Sequence, residues 1–95
     1  MKNVLTVVVW LVMAGVASAA PAPDSQRLAL AKDYIADEQW MRAIAELKVA
    51  AADAKEPNRD EAMFWLAHSE HATGDHAAAL QTIARLERQF PASRW

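Results

Sequence analysis

Cysteine is absent from this 95-residue chain. That absence excludes a disulfide, a thiolate metal site and a cysteine nucleophile, and it removes the acceptor that a bacterial lipoprotein carries after its leader. Glycine occurs only twice, and no glycine-rich loop exists to cradle a phosphate. Ser69 and Ser93 lack a G-x-S-x-G elbow. No run of one charge sign occurs, so the basic stripe of a nucleic-acid binder is missing. The formal charge is −2, and removing Lys2 with the leader leaves 9 basic against 12 acidic residues, or −3. Mild acidity favours solubility and selects no partner.

What is present begins with an export signal. Met1-Lys2-Asn3 is a short positive opening, Val4 to Val16 is an apolar run interrupted by Thr6 and Gly15, and Ala17-Ser18-Ala19 supplies the small residues that a signal peptidase reads. A membrane-spanning helix wants roughly 20 apolar residues, and this run is shorter, with no basic stop-transfer cluster. Residues 1–19 are therefore expected to be a cleaved signal peptide, with Ala20 first in the mature protein. Residues 20–23, with Pro21 and Pro23, form a spacer that cannot continue a helix. The expected location is periplasmic or secreted, with the membrane met only transiently through the signal. About 75 residues remain, one domain at most, and a chain so short buries only around 60% of its unfolded surface.

Beyond the spacer, abundant alanine and the lack of β-branched runs favour helix throughout. Asp24 or Ser25 is placed to cap a first helix carrying Leu28, Ala31, Tyr34 and Ile35 at helical spacing. A turn near Asp37-Glu38-Gln39 leads to a second helix marked by Trp40, Ile44, Leu47 and Ala51, ending near Lys55-Glu56-Pro57-Asn58. Asp60 is expected to cap a third, with Met63, Leu66 and Ala67 on one face and Phe64 beside them. Thr73-Gly74-Asp75 breaks it, because Gly74 takes a left-handed conformation at no steric cost and Asp75 can cap the next helix. Ala79, Ile83, Leu86 and Phe90 run down that fourth helix, which Pro91 stops.

A shift of 36 residues superposes the chain on itself. Leu30-Ala31 falls on Leu66-Ala67, Trp40 on His76, Ala43 on Ala79, and Leu47 on Ile83. Each unit reads as helix, tight turn, helix. With these motifs the chain resembles the tetratricopeptide repeat (TPR) family, whose period is near 34. The second unit carries Leu66-Ala67, Gly74-Asp75-His76, Ala79 and Pro91; the first carries Leu30-Ala31, Tyr34, Trp40, Ala43 and Ala50. It departs from the family pattern at Glu70, where a Tyr belongs, and at Glu38-Gln39, where Gly-Asp belongs. The stretch from Glu61-Ala62-Met63-Phe64-Trp65-Leu66-Ala67 to Phe90-Pro91-Ala92-Ser93 is similar to periplasmic Tol-Pal coordinator-type and outer-membrane assembly proteins of that family. The resemblance implies an all-α fold of two tandem TPR-like helix-turn-helix hairpins, a right-handed α-solenoid fragment over 24–95. Repeat 1 covers about 24–57 and repeat 2 about 60–93.

His68, His71 and His76, near Glu70 and Asp75, suggest a metal hairpin, since two imidazoles and a carboxylate can hold zinc. His-Ser-Glu-His is, however, not the HExxH spacing, and His76 falls where the repeat packs an aromatic, so no metal or other cofactor is assigned. Asp37-Glu38 and Asp60-Glu61 lie at helix ends and read as capping or dipole carboxylates, not as a catalytic pair. Trp40 takes a packing position, Trp65 lies beside the core stripe, and Trp95 falls where a further hairpin would begin. No catalytic set emerges, and an enzyme is not expected.

In solenoids of this kind the first helices of successive hairpins line a concave binding face. The resemblance places Leu28, Lys32 and Ile35 of the first unit in that groove, with Glu61, Phe64, His68 and His71 of the second. The expected function is an exported scaffold that binds a protein or peptide partner and no nucleic acid; the alternative is a periplasmic metal-binding protein using the histidine hairpin. His68 and His71 would make partner affinity vary between about pH 5 and 7. Because such repeats usually need about three units, self-association, stabilisation by a partner, or membership of a longer array are the open answers to stability.

Overall fold

A computed structural model describes residues 22–95. The expected signal peptide, residues 1–19, and the first two spacer residues, Ala20 and Pro21, lie outside the described residues. Four helices and no strand occur among the described residues, so this part of the chain is all-α. They are α1 (Gln26–Ala36), α2 (Trp40–Ala52), α3 (Arg59–Ala72) and α4 (His76–Gln89). Each packs on its neighbour in sequence, and α1 also touches α3.

Local chemistry sets most of the boundaries. Of the two candidate caps for α1, Ser25 does the capping: its hydroxyl accepts the Leu28 N–H at 3.1 Å. The same hydroxyl donates to the Glu56 carboxylate at 2.8 Å, 31 residues away, which supplies a partner for a buried acid. Asp24 instead accepts from Lys32 Nζ at 2.7 Å. For α4, Asp75 accepts the Ala78 N–H at 3.1 Å, as its spacing predicts.

The two tight turns have one hydrogen-bond pattern. The Gln39 N–H reaches the Tyr34 carbonyl and Glu38 N–H the Ile35 carbonyl; 36 residues on, Asp75 reaches Glu70 and Gly74 reaches His71. These paired bonds satisfy carbonyls that the ends of α1 and α3 would otherwise leave open. The motif needs a left-handed residue at its centre. Gly74 (φ 86°) fills that place freely, whereas Glu38 (φ 57°) holds it against its own Cβ.

Three expectations need correction. Asn58, not Asp60, precedes α3; Asp60 lies inside the first turn and accepts the Ser93 hydroxyl at 2.7 Å. The second helix stops at Ala52, short of 55–58, where the Asp53 N–H bonds the Val49 and Ala50 carbonyls. Ile83, expected along a buried stripe of α4, is exposed, because among the described helices α4 packs on α3 alone. Helix α4 ends at Gln89, with Phe90 as its capping residue before Pro91.

The core joins all four helices through Leu28, Leu47, Met63, Leu66 and Leu86. Each fully buried aliphatic side chain of this size contributes about 1.5–3 kcal/mol relative to exposure. Buried Ala31, Ala43, Ala50, Ala51 and Ala62 sit between them, and their small side chains let helix axes approach closely. A buried polar clamp adds specificity across the second turn: Thr82 donates its hydroxyl to Glu70 Oε1 at 2.6 Å. Among the described residues no buried side-chain nitrogen or oxygen lacks a partner.

Candidate functional site

The seven residues assigned to a common groove are not all on one surface. Leu28 is completely buried in the core and presents nothing to a partner. Ile35 is half-buried against the same core. Lys32 and Glu61 form an ion pair between α1 and α3, and Asp24 joins it through the same ammonium. Glu61, itself buried, also accepts the Trp65 indole N–H at 3.1 Å. This acid, in the first turn of α3 where a carboxylate suits the helix dipole, therefore also fastens α3 to α1. Burial works against the charge on Lys32, but the hydrogen bonds to Asp24 and Glu61, with their negative charges, outweigh it and hold the ammonium above the ordinary lysine value of 10.5. Lys32, Glu61, Asp24 and Asp60 border a polar cleft of about 600 Å³ that Asn58 and Ser93 also line.

Phe64, His68 and His71 lie elsewhere, along one side of an open cavity of about 590 Å³ between α3 and α4. Ala79, Leu80, Ile83 and Leu86 of α4 form the other side, and Trp95 closes one end. The Trp95 ring is 5.1 Å from Phe64 and 6.3 Å from Trp65 between centroids, and Phe64 and Trp65 meet edge-on at 5.0 Å. Such aromatic pairs are each worth about 0.5–1.5 kcal/mol beyond the area they bury. The last residue of the chain is thus part of the wall. Trp40, expected in the core, is half-buried with its ring 5.7 Å from His68.

The three histidines divide in the same way. His71 lies in the last turn of α3 and His76 opens α4, and their Nδ1 atoms approach to 2.9 Å. One ring donates and the other accepts, since a bond between two nitrogens needs one proton. His68 does not join them; its ring stands edge-on to Trp40 and Trp65. Among the described residues no three His, Asp or Glu side chains converge on a point suited to a metal ion, and no helix is long and apolar enough to cross a membrane.

No family model, no curated protein and no solved structure matches this chain. The site's own geometry therefore carries its reading. Sequence reasoning missed the α4 wall of the cavity. Leu80 is 68% and Ile83 42% exposed, although both stand on the apolar side of an amphipathic helix. The repeat held the signal: 36 residues earlier stand Ile44 and Leu47, 8% and 0% exposed. Equal chemistry in the two units made Ile83 look like core, and only the tertiary structure reveals that nothing among the described residues lies over it.

Proposed function

We propose that this chain is an exported adaptor of tetratricopeptide-repeat type, which binds another polypeptide through the cavity between α3 and α4 and performs no catalysis. One observation carries the reading: two large aliphatic side chains, Leu80 and Ile83, stand in solvent beside Phe64 and Trp95 and wall one apolar cavity. Apolar surface gathered in a concavity, with a few polar groups at its edge, is the usual form of a recognition site. Here the histidine rings and Glu87 supply that edge. The 36-residue repeat, the paired turns and the buried alanines support the family; the leader, with its Ala-Ser-Ala exit, supports export to a periplasm or beyond. Phe64, His68 and His71 remain in the proposed binding surface, joined by Leu80 and Ile83. Leu28, Lys32 and Glu61 are reassigned to the fold, where burial and the ion pair use them fully.

The test is a photoreactive amino acid placed at position 80 of the chain expressed in the living cell. Illumination is expected to yield a covalent adduct with a second polypeptide in the cell envelope, and the same probe at exposed Val49, on α2, is expected to yield none. Absence of an adduct at position 80, or equal adducts at both positions, overturns the adaptor reading.

A further inference from the structure

The chain contains two copies of one seat, and among the described residues only the first has a helix over it. On the first unit, Leu28, Ala31, Ala43, Ile44 and Leu47 are all buried, and α3 lies across the α1–α2 pair, touching both. Adding 36 to those positions gives Phe64, Ala67, Ala79, Leu80 and Ile83, which all line the open cavity. The cavity therefore repeats, position for position, the surface that α3 covers on the first unit. What covers that surface is an α-helix.

The contacts that hold α3 in place define what such a helix must carry. Arg59, its first residue, donates through Nε to the Ala51 carbonyl near the end of α2 at 3.1 Å. Glu61, two residues on, pairs with Lys32 of α1. His68 sets its ring against Trp40 at the start of α2. In the open seat the equivalent positions are Glu87, His68 and His76. Glu87 lies two residues before the end of α4, among the carbonyls that a helix end leaves without helical partners, and its carboxylate adds a second acceptor for a cation. His68 stands in place of Lys32 as a donor for an acid. An acceptor at the helix end and a donor on the preceding helix thus recur in the second seat, over which no described helix lies.

We propose that the α3–α4 cavity is the seat of a fifth helix, supplied by a partner polypeptide: an amphipathic α-helix that opens with a basic residue, carries an acid two positions later, and presents an apolar face like that of α3. This rests on the adaptor reading and narrows it to one form of partner. A second copy of the chain is the poorer occupant. Among the four described helices only α3 has acidic residues in its first turn, and its Glu61 is already engaged by Lys32 and Trp65.

The probe is a synthetic peptide with the sequence of residues 59–72, closed into a helix by a lactam through position 70, the side that faces Thr82 in the intact chain. It is titrated into the full chain while the methyl resonances of Leu80 and Ile83 are followed. Saturable shifts of both methyls are expected. Leu80→Asp, which sets a carboxylate in the apolar seat, is expected to weaken binding by at least about tenfold. A peptide carrying Glu61→Lys is expected to weaken it several-fold, and Val49→Asp in the chain to leave it unchanged. Leu80 is exposed, so helicity should survive its replacement; Ile83→Lys provides a second variant with the same expectation. If the peptide fails to bind while photo-adducts at position 80 persist, the helical partner is refuted and the adaptor stands. Binding indifferent to both Leu80→Asp and Ile83→Lys also refutes it. So does a doubling of mass in solution that Leu80→Asp abolishes, which would make a second copy the occupant.

Discussion

Replacing Thr82 with valine should destabilise this protein far more than the exchange of one heavy atom suggests. Thr82 and Glu70 are 4% and 7% exposed, and the threonine hydroxyl donates to the carboxylate at 2.6 Å across the α3–α4 pair. Valine keeps the volume and removes the donor, so a buried carboxylate oxygen loses its partner. A hydrogen bond to a charged group is worth about 1.5–3 kcal/mol, and stranding its acceptor costs the desolvation of that group. We expect about 2 kcal/mol, which for a domain of this size is a fall in Tm of about 8–16 °C. Thr82→Ser keeps the hydroxyl and gives up one methyl, so it should cost only about 1 kcal/mol. The assay is urea unfolding followed by far-ultraviolet circular dichroism, with a double-mutant cycle through Glu70→Met. In that background no acceptor remains to be stranded, and Thr82→Val should be nearly neutral. A cost below about 0.5 kcal/mol in the wild-type chain, or an equal cost in both backgrounds, refutes the clamp.

Three other regions of the molecule give expectations of the same kind. Gly74→Ala forces a Cβ into a left-handed residue although the surrounding space is open, and should cost about 1–2 kcal/mol; Glu38→Gly relieves the equivalent strain and should add several tenths of a kcal/mol, both read by thermal melts. Lys32→Met removes the ammonium shared by Asp24 and Glu61 and should lower stability at pH 7 by about 1 kcal/mol. The folded state holds the Lys32 proton more tightly than the unfolded chain does. Its contribution is therefore complete below about pH 10.5 and is lost as pH rises through the folded value; Lys32→Met should flatten that alkaline loss in pH-dependent unfolding. Amino-terminal sequencing of the exported protein is expected to begin at Ala20, and a retained Met1 would overturn the cleaved leader.

Local chemistry was readable wherever a residue's partner lies within about one helical turn. The four helices, the turn at Gly74, the Asp75 cap and the stop at Pro91 all belong to that class. So does the left-handed position at Glu38, which the repeat flagged as a place where glycine was due. Asp60 shows the limit of such reading. An Asp before an apolar run satisfies the capping pattern equally well one or two residues from the true end. Asp60 does accept the Glu61 N–H of the first turn at 2.9 Å, but its other oxygen takes the hydroxyl of Ser93, 33 residues away. Glu70 was legible as a departure from the family pattern and as a carboxylate near the histidines; its meaning came from Thr82 on the facing helix.

By itself the sequence determined that this is a chain of paired helices repeated at 36 residues, because capping, turn chemistry and apolar periodicity act between near neighbours. Tertiary structure alone decided which members of the repeated apolar stripe are core and which are surface. Burial is a property of what lies opposite a residue, and the two copies of the seat have almost the same chemistry. Leu47 is core because α3 covers it, and Ile83 is surface because no described helix does.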